Sequence, residues 1–545
     1  MSTFRQRFSR WMQSRTLPGL TPGPYEVEIR KNLRVPMDDG VELLADLITP
    51  VGAPAAPLPT IVIRGPYGRS GGVAGQAKAL AREGFTVLFQ SCRGTWGSGG
   101  VFTPQIDEQR DGATTHRWVR QQPWFTGTVA TFGPSYMGFT QWAVAGHLQR
   151  TDPENAPDAL CLLVTMPDFG AVTWDNGTFS LRNALGWTQM MDRMIRRDFL
   201  ALFLGMLRPD GKLKRGFGTL PLSAGDTAAT GHPVHWYQDW VGYEKLTDEY
   251  WTQQSHTASV PDVTAPVYMI TGWYDIFLPW QIRTYAQLAA EGRAPRLTIG
   301  PWGHSAPAMG ATAVGESTAF LKGESRNSPV RAYLTGADQW HDLPSWPPPA
   351  SETTSWHLYE TGRLHPGLPD GGITSYAYDP ADPTPAIGGP SLEPKQGPVD
   401  NAAHESRTDV VVFRGDVLEE AVTLAGTPVA RIRFRSSRPS ADVFVRITDV
   451  HPDGCSMTVS DAIRRVEGEA EEFAEVTIEL WPVFHRFAAG HRISVQVSSG
   501  AHPRYARNPG SGELAATAST LHEATQEISH DPAHPSLVEL PVWPS

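Results

Sequence analysis

The sequence predicts an α/β core interrupted by a helical insertion and followed by an all-β sandwich or jelly roll. Three observations carry that prediction. Short apolar runs recur with helix-patterned connectors between them, a Trp-, Met- and Arg-rich stretch breaks their rhythm, and alternating strands follow a proline-rich break. The chain has 545 residues, enough for two to four domains with ample core.

The first element reads as a hairpin. "YEVEIRKNLRVPM" and "VELLADLITP" flank Asp38-Asp39-Gly40, and Asp-Gly between β-type runs is a hairpin turn signal. Then come "TIVIR" (60–64), "FTVLFQ" (85–90), "VATF" (129–132), "ALCLLV" (159–164), "VYMIT" (267–271) and "RLTIG" (296–300). These runs do not alternate, so they belong to strands buried on both faces, as in a parallel sheet covered by helices. The connectors "GVAGQAKALAREG" and "QRDGATTHRWVRQQ" have helical spacing, which completes the βαβ pattern.

Between about 165 and 258 the pattern changes. "LRNALGWTQMMDRMIRRDFLALFLGML" reads as one or two helices, and an insertion there caps the carboxyl ends of the strands. "LPSWPPPA" (343–350) reads as a linker. Beyond it, "SWHLYE", "VARIRFRS", "DVFVRITDV", "AEVTIEL" and "HRISVQVSS" alternate as short strands separated by turn signals. The expected division is 1–164 and 259–345 for the two parts of the core, 165–258 for the cap and 351–545 for the β domain.

Composition narrows the function classes. A formal net charge of −11 argues against a nucleic-acid partner, because phosphate binding needs a basic surface. No apolar stretch approaches the roughly 20 residues needed to span a bilayer, so no membrane association is expected. The start, "MSTFRQRFSRWMQSR", is basic without the apolar core of a secretory signal, and reads as a short amphipathic helix. Cys92, Cys161 and Cys455 are far apart and form neither a metal-spaced cluster nor a disulfide framework. A cytoplasmic location follows as the expectation.

Function in an open parallel sheet collects beyond the carboxyl ends of its strands. Ser135, in "GPSYMGFTQW", stands where "VATF" ends and a helix begins. Small neighbours let strand and helix approach closely, so the hydroxyl can stand clear of the backbone, as in a nucleophile elbow. The string also fits an ordinary helix-capping serine. Gly389-Pro390-Ser391 contains a similar string with no helix to follow it. Asp275 follows "VYMIT" and His304 follows "RLTIG", so Ser, Asp and His fall at strand ends in the chain order of α/β hydrolases. A serine hydroxyl needs an imidazole to take its proton, and a buried carboxylate to fix that imidazole's tautomer. An oxyanion would be met by the backbone N–H of Tyr136 and by a second donor from an earlier loop. Tyr67, in "IRGPYGRS", is placed for that role or simply packs its loop.

The pieces "VPMDDGVELLADLITP", "IRGPYGR", "CRGTWGSGG", "GPSYMGFTQW", "GWYDIF" and "GPWGHS" resemble the X-Pro dipeptidyl-peptidase-like hydrolases. This CocE/NonD group includes cocaine esterase, glutaryl acylases and α-amino acid ester hydrolases. The resemblance spans nearly the whole chain, and the G-x-S-Y-x-G form belongs to the group. It implies an α/β-hydrolase core, a helical cap and a C-terminal jelly roll. By motif it implies Ser135 as nucleophile, Asp275 and His304 as its partners and Tyr67 as an oxyanion donor. Ser91 stands where members often carry aspartate, in a loop with Arg93 read as structural.

Apolar Ile276, Phe277, Leu278 and Pro279 follow Asp275, where selection of an α-ammonium group would call for carboxylates. The expected substrate is therefore a small ester with an uncharged hydrophobic or aromatic acyl group, nearest to the cocaine-esterase type. Phe277, with Trp174 and Trp187 of the cap, is expected either to line the acyl pocket or to pack the core. No metal or organic cofactor is needed for this chemistry. An amidase, acylase or X-Pro peptidase on the same triad is the first alternative, with Asp168 and Asp175 available as ammonium anchors. A carbohydrate-binding protein with an inert core is the second. Members of the group are often homo-oligomers, but nothing in this sequence sets a subunit number.

Overall fold

The computed structural model describes residues 15–544 except 54–57, 199, 203–204, 206–210, 325, 393–396 and 469–471. The amphipathic helix expected at the N-terminus therefore falls almost wholly outside the described residues. Two compact units emerge, residues 1–169 with 253–331, and residues 170–252 with 332–545.

The first unit is built on a twisted sheet. Eight of its strands lie wholly within this unit: β1 (Glu26–Pro36), β2 (Glu42–Val51), β3 (Thr60–Gly65), β4 (Val87–Ser91), β5 (Val129–Pro134), β6 (Ala159–Leu163), β7 (Val267–Tyr274) and β8 (Arg296–Gly303). They lie in the order β1-β2-β4-β3-β5-β6-β7-β8. The β1–β2 hairpin and the β2–β4 pair are antiparallel, and the pairings from β4–β3 through β7–β8 are parallel. Its helices are α1 (Gly75–Arg82), α2 (Glu108–Arg120), α3 (Tyr136–Thr151), α4 (Leu278–Ala290) and α5 (Pro307–Leu321). All six residues of β3 and all five of β4 are buried, as runs without alternation require in a sheet covered on both faces. Core residues from α1, α5 and the central strands pack in one cluster that includes Leu80, Phe132, Ile270 and Val314.

In the second unit the inserted helices Leu181–Ile195, Gly211–Gly218 and His235–Gly242 belong with the C-terminal strands. The Tyr505 hydroxyl donates to Asp175 at 3.0 Å, and the Ala506 amide to the Phe179 carbonyl at 2.8 Å. The strands form a nine-stranded and a four-stranded sheet, with antiparallel ladders throughout. This is the all-β C-terminal domain that the alternating runs predict. No helix among the described residues is long and apolar enough to cross a membrane.

Candidate active site

Ser135 occupies the corner between β5 and α3 with φ 59° and ψ −126°, a left-handed conformation that disfavours any residue with a side chain. It stands at the N-cap position but makes no capping hydrogen bond, so the capping alternative finds no support. The corner is tight because its neighbours are small. A Cβ on Gly133 would stand 2.5 Å from the Met137 Cβ, and one on Gly138 would stand 2.5 Å from the Thr165 Cβ. Glycine at 138 rather than 137 is therefore what this turn needs. The Thr165 hydroxyl donates to the Ser135 carbonyl at 2.9 Å, and the Ser135 amide to the Leu163 carbonyl at 2.9 Å.

Tyr136, the next residue, turns its side chain into the core. Its hydroxyl donates to Glu108 Oε1 at 2.9 Å and accepts the Gln105 amide at 2.8 Å. Glu108 in turn pairs with Arg64 at 2.9 Å, and both side chains are almost wholly buried. Arg64 also donates to Gln90 and to the Glu108 carbonyl. Burial is the largest single influence and works against the guanidinium charge, but Glu108, Cys92, Asp111 and Tyr136 together raise the Arg64 pKa. Burial, reinforced by Glu108, pushes the Tyr136 phenol well above its ordinary value, so it stays protonated and donating. This network joins the end of β3 to the start of α3, the two places where oxyanion donors were expected. The sequence held one sign of it: Arg64 ends an otherwise apolar buried run, and a buried cation needs a buried acid.

The loop after β3 is fixed by Trp96. Its indole N–H donates to the Pro66 carbonyl at 2.9 Å, and its ring lies so close to Gly68 that a Cβ there would come within 2.9 Å. Tyr67, between these two residues, is half-buried. The loop after β4 is held by charge. Arg93 pairs with Asp111 at 2.6 Å and with Asp39 at 2.9 Å, and the Ser91 hydroxyl accepts from Arg69. These contacts agree with the structural reading of that loop.

On the other side of the site, β7 and β8 run parallel with Gly272 opposite Gly300. A bulge between Gly300 and Gly303 lets Trp302 fold back, and a Cβ on Gly272 would lie 2.1 Å from the Trp302 carbonyl oxygen. Such bulges re-aim a chain at a strand end. Here the chain leads directly to His304, whose Nδ1 donates to Asp275 Oδ2 at 2.7 Å. Asp275 is fully buried, and its Oδ1 accepts the Phe277 amide at 2.8 Å. The Phe277 ring stands edge-on to the imidazole, with centroids 5.3 Å apart.

Ser135, His304 and Tyr67 line one cavity of ≈350 Å³ in the first unit, together with Leu17, Val73 and Met309. The structure thus brings together four predicted residues, Asp275 through its bond to His304. Phe277 does not line this cavity; it packs between His304 and Phe169. Trp174 and Trp187 belong to the second unit. Trp174 is buried and donates to the Trp240 carbonyl at 2.8 Å, and Trp187 packs against Trp236 and Trp240. Leu17 and Met309 as lining residues were missed, because nothing in local pattern links an N-terminal segment to a helix nearly 300 residues later. Gly389 bridges to Gly397, and among the described residues no helix starts at Ser391, in contrast to Ser135.

Comparison with known proteins fits this geometry. Residues 39–306 match the X-Pro dipeptidyl-peptidase (S15 family), and residues 323–539 match the X-Pro dipeptidyl-peptidase C-terminal non-catalytic domain. Cocaine esterase of Rhodococcus sp. (strain MB1 Bresler) is 30% identical, over 96% of this chain and 100% of that one. Among solved structures, an aminopeptidase from a marine sediment Thaumarchaeota archaeon superposes with TM-score 0.81 at 23% identity, over 97% of this chain and 98% of that one. An α-amino acid ester hydrolase does so with TM-score 0.79 at 22% identity, over 96% and 98%. Fold and relatives define a serine hydrolase with an α/β-hydrolase core. The chain belongs to the S15/CocE family of these enzymes, with the family's C-terminal all-β domain.

Proposed function

We propose that this chain is a serine carboxylesterase that acts on esters of uncharged, hydrophobic or aromatic acids. Ser135 Oγ attacks the ester carbonyl while His304 Nε2 takes its proton, and Asp275 holds Nδ1 and stabilises the imidazolium. The Tyr67 hydroxyl and the Tyr136 amide donate to the oxyanion. Collapse of the intermediate breaks the C–O bond, and His304 returns the proton to the leaving alcohol. Water then adds to the acyl-enzyme with His304 as base, releasing the acid and restoring Ser135.

One observation carries this reading: an imidazole fixed by a buried carboxylate shares a cavity with a serine held in a strained turn. The acyl preference is supported by the cavity wall, where no Asp, Glu, Lys or Arg figures among the described lining residues. The two carboxylates available as ammonium anchors are already engaged. Asp168 accepts the Ser255 hydroxyl at 2.7 Å, and Asp175 accepts that of Tyr505.

The test pairs p-nitrophenyl esters with p-nitroanilides of the same acyl groups, alongside labelling by a fluorophosphonate probe. Faster turnover of esters, with neutral acyl groups preferred over α-ammonium ones, supports the proposal. Faster anilide turnover would transfer it to the acylase reading. A folded wild type that fails to label would end it.

A further inference from the structure

The second unit holds a side-chain cluster that takes no part in this chemistry. Asp449 lies near the end of β9 (Ser440–Val450), with its side chain only 3% exposed. Its Oδ1 is 2.8 Å from His491 Nδ1, and its Oδ2 is 3.1 Å from His485 Nε2 and 3.8 Å from His451 Nε2. A buried carboxylate needs a compensating charge. Among the described residues, Asp449 is paired with imidazoles and with no arginine or lysine.

The backbone explains the convergence. β9 pairs antiparallel with β10 (Arg492–Ser498), with Asp449 opposite Ile493 and Val450 opposite Arg492. One step further along that register, His451 meets His491, and their ring centroids are 4.4 Å apart. Alternate residues of a strand share a face, so Asp449 and His451 project to the same side. One ligand atom from each of Asp449, His451 and His491 lies within 4.8 Å of the other two.

We propose that Asp449, His451 and His491 bind one divalent first-row transition ion of the zinc type. Two imidazoles and a carboxylate suit zinc, cobalt or nickel rather than magnesium or calcium, which prefer all-oxygen sites. Tetrahedral bonds of about 2.0–2.1 Å set ligand atoms roughly 3.3 Å apart. His491 Nδ1 stands 2.8 Å from Asp449 Oδ1, and the one atom offered by each of the three residues lies within 4.8 Å of the others, a spread on either side of that figure. Metal ligation requires the unprotonated forms of its imidazole and carboxylate ligands, so protons compete with the ion and affinity falls with falling pH. His485 is the outer partner, holding Oδ2 while its Nδ1 meets Thr335 Oγ1 at 2.9 Å. The ion would tie the His451–Cys455 turn, closed by the His451 amide on the Cys455 carbonyl, to the turn at Ala488–His491. Its role is structural and independent of the esterase reading.

The experiment uses the untagged full chain, freed of metal by chelation and dialysis. Co²⁺ is titrated by its visible absorption, Zn²⁺ by calorimetry and by the shift in Tm. The expected result is one equivalent bound, a raised Tm and weaker binding at lower pH. His485→Ala should weaken affinity about 10–100-fold, the range for an outer partner, and His451→Ala and His491→Ala should weaken it further. His304→Ala and His534→Ala should bind as the wild type does, and circular dichroism verifies that each variant is folded. No stoichiometric binding by the folded wild type would overturn the proposal. So would affinity retained in a folded His451→Ala/His491→Ala double variant, or lost in His304→Ala.

Discussion

Two regions of this chain build a similar string of contacts to different ends. In the first unit, buried Asp275 holds His304, which shares a cavity with the Ser135 hydroxyl. In the second, buried Asp449 holds His485, whose other nitrogen meets the Thr335 hydroxyl at 2.9 Å. The hydroxyls differ most. Thr335 Oγ1 also lies 2.9 Å from the Phe484 carbonyl, in an isolated strand bridge and not at a helix start. Ser135 makes no capping bond, sits at positive φ and opens α3, whose first amides have no helical acceptor. The carboxylates differ too. Asp275 gives one oxygen to a single imidazole and the other to a backbone amide, whereas Asp449 divides its oxygens among three imidazoles. The two strings thus share an acid, an imidazole and a hydroxyl, and differ in the backbone geometry at the hydroxyl and in the cavity beside it.

Variants can break this contrast. Ser135→Ala and His304→Ala should each lower ester turnover by a factor on the order of 10⁶ and abolish fluorophosphonate labelling, while Thr335→Ala keeps both. Labelling that survives in Ser135→Ala and disappears in Thr335→Ala would reverse the assignment. Asp275→Asn should cost roughly 10⁴ in kcat by disturbing the imidazole's tautomer, whereas Asp449→Asn should leave kcat unchanged. Tyr67→Phe should cost on the order of 10²–10³ in kcat, the range for one oxyanion donor, and near-native rates would remove that hydroxyl from the mechanism.

The remaining predictions concern stability. Glu108→Ala leaves Arg64 buried without its partner and should destabilise the first unit by about 3–5 kcal/mol in denaturant unfolding. His116 and His256, also in the first unit, have pKa values lowered by burial to about 3 and about 4. Below pH 6.5 the unfolded chain takes up protons that these folded imidazoles refuse, so stability falls as pH drops from 6.5 toward 4. His256→Gln should flatten that slope in urea midpoints measured across the range, and an unchanged slope would assign the effect to other groups.

Much of this was legible in the sequence. The six doubly buried runs became β3 to β8 because continuous apolar stretches leave a chain few other stable placements. Ser135, Asp275 and His304 could be found because each sits at a strand end, a position that periodicity marks. Alternation served less well in the second unit. β9 is buried at all eleven positions, with Asp442, Arg446 and Asp449 inside, so its pattern is set by buried ion pairs rather than by a solvent face. Arg446, for instance, is matched by Asp461 at 2.9 Å. The Asp449 cluster was invisible for a related reason: its ligands lie about forty residues apart and meet only through cross-strand register. For Phe277 the sequence leaves pocket lining and core packing both open; its amide donates to Asp275 and its ring stands against His304, contacts no local pattern announces.

The φ of 59° at Ser135 reaches beyond catalysis. A side chain held there costs on the order of 1–3 kcal/mol, which glycine would not incur. Ser135→Gly should therefore melt above both the wild type and Ser135→Ala while hydrolysing nothing. If Ser135 is the nucleophile proposed above, durability and reactivity are set against each other at this one position, and a search for thermotolerant variants that ignored activity would discard it first.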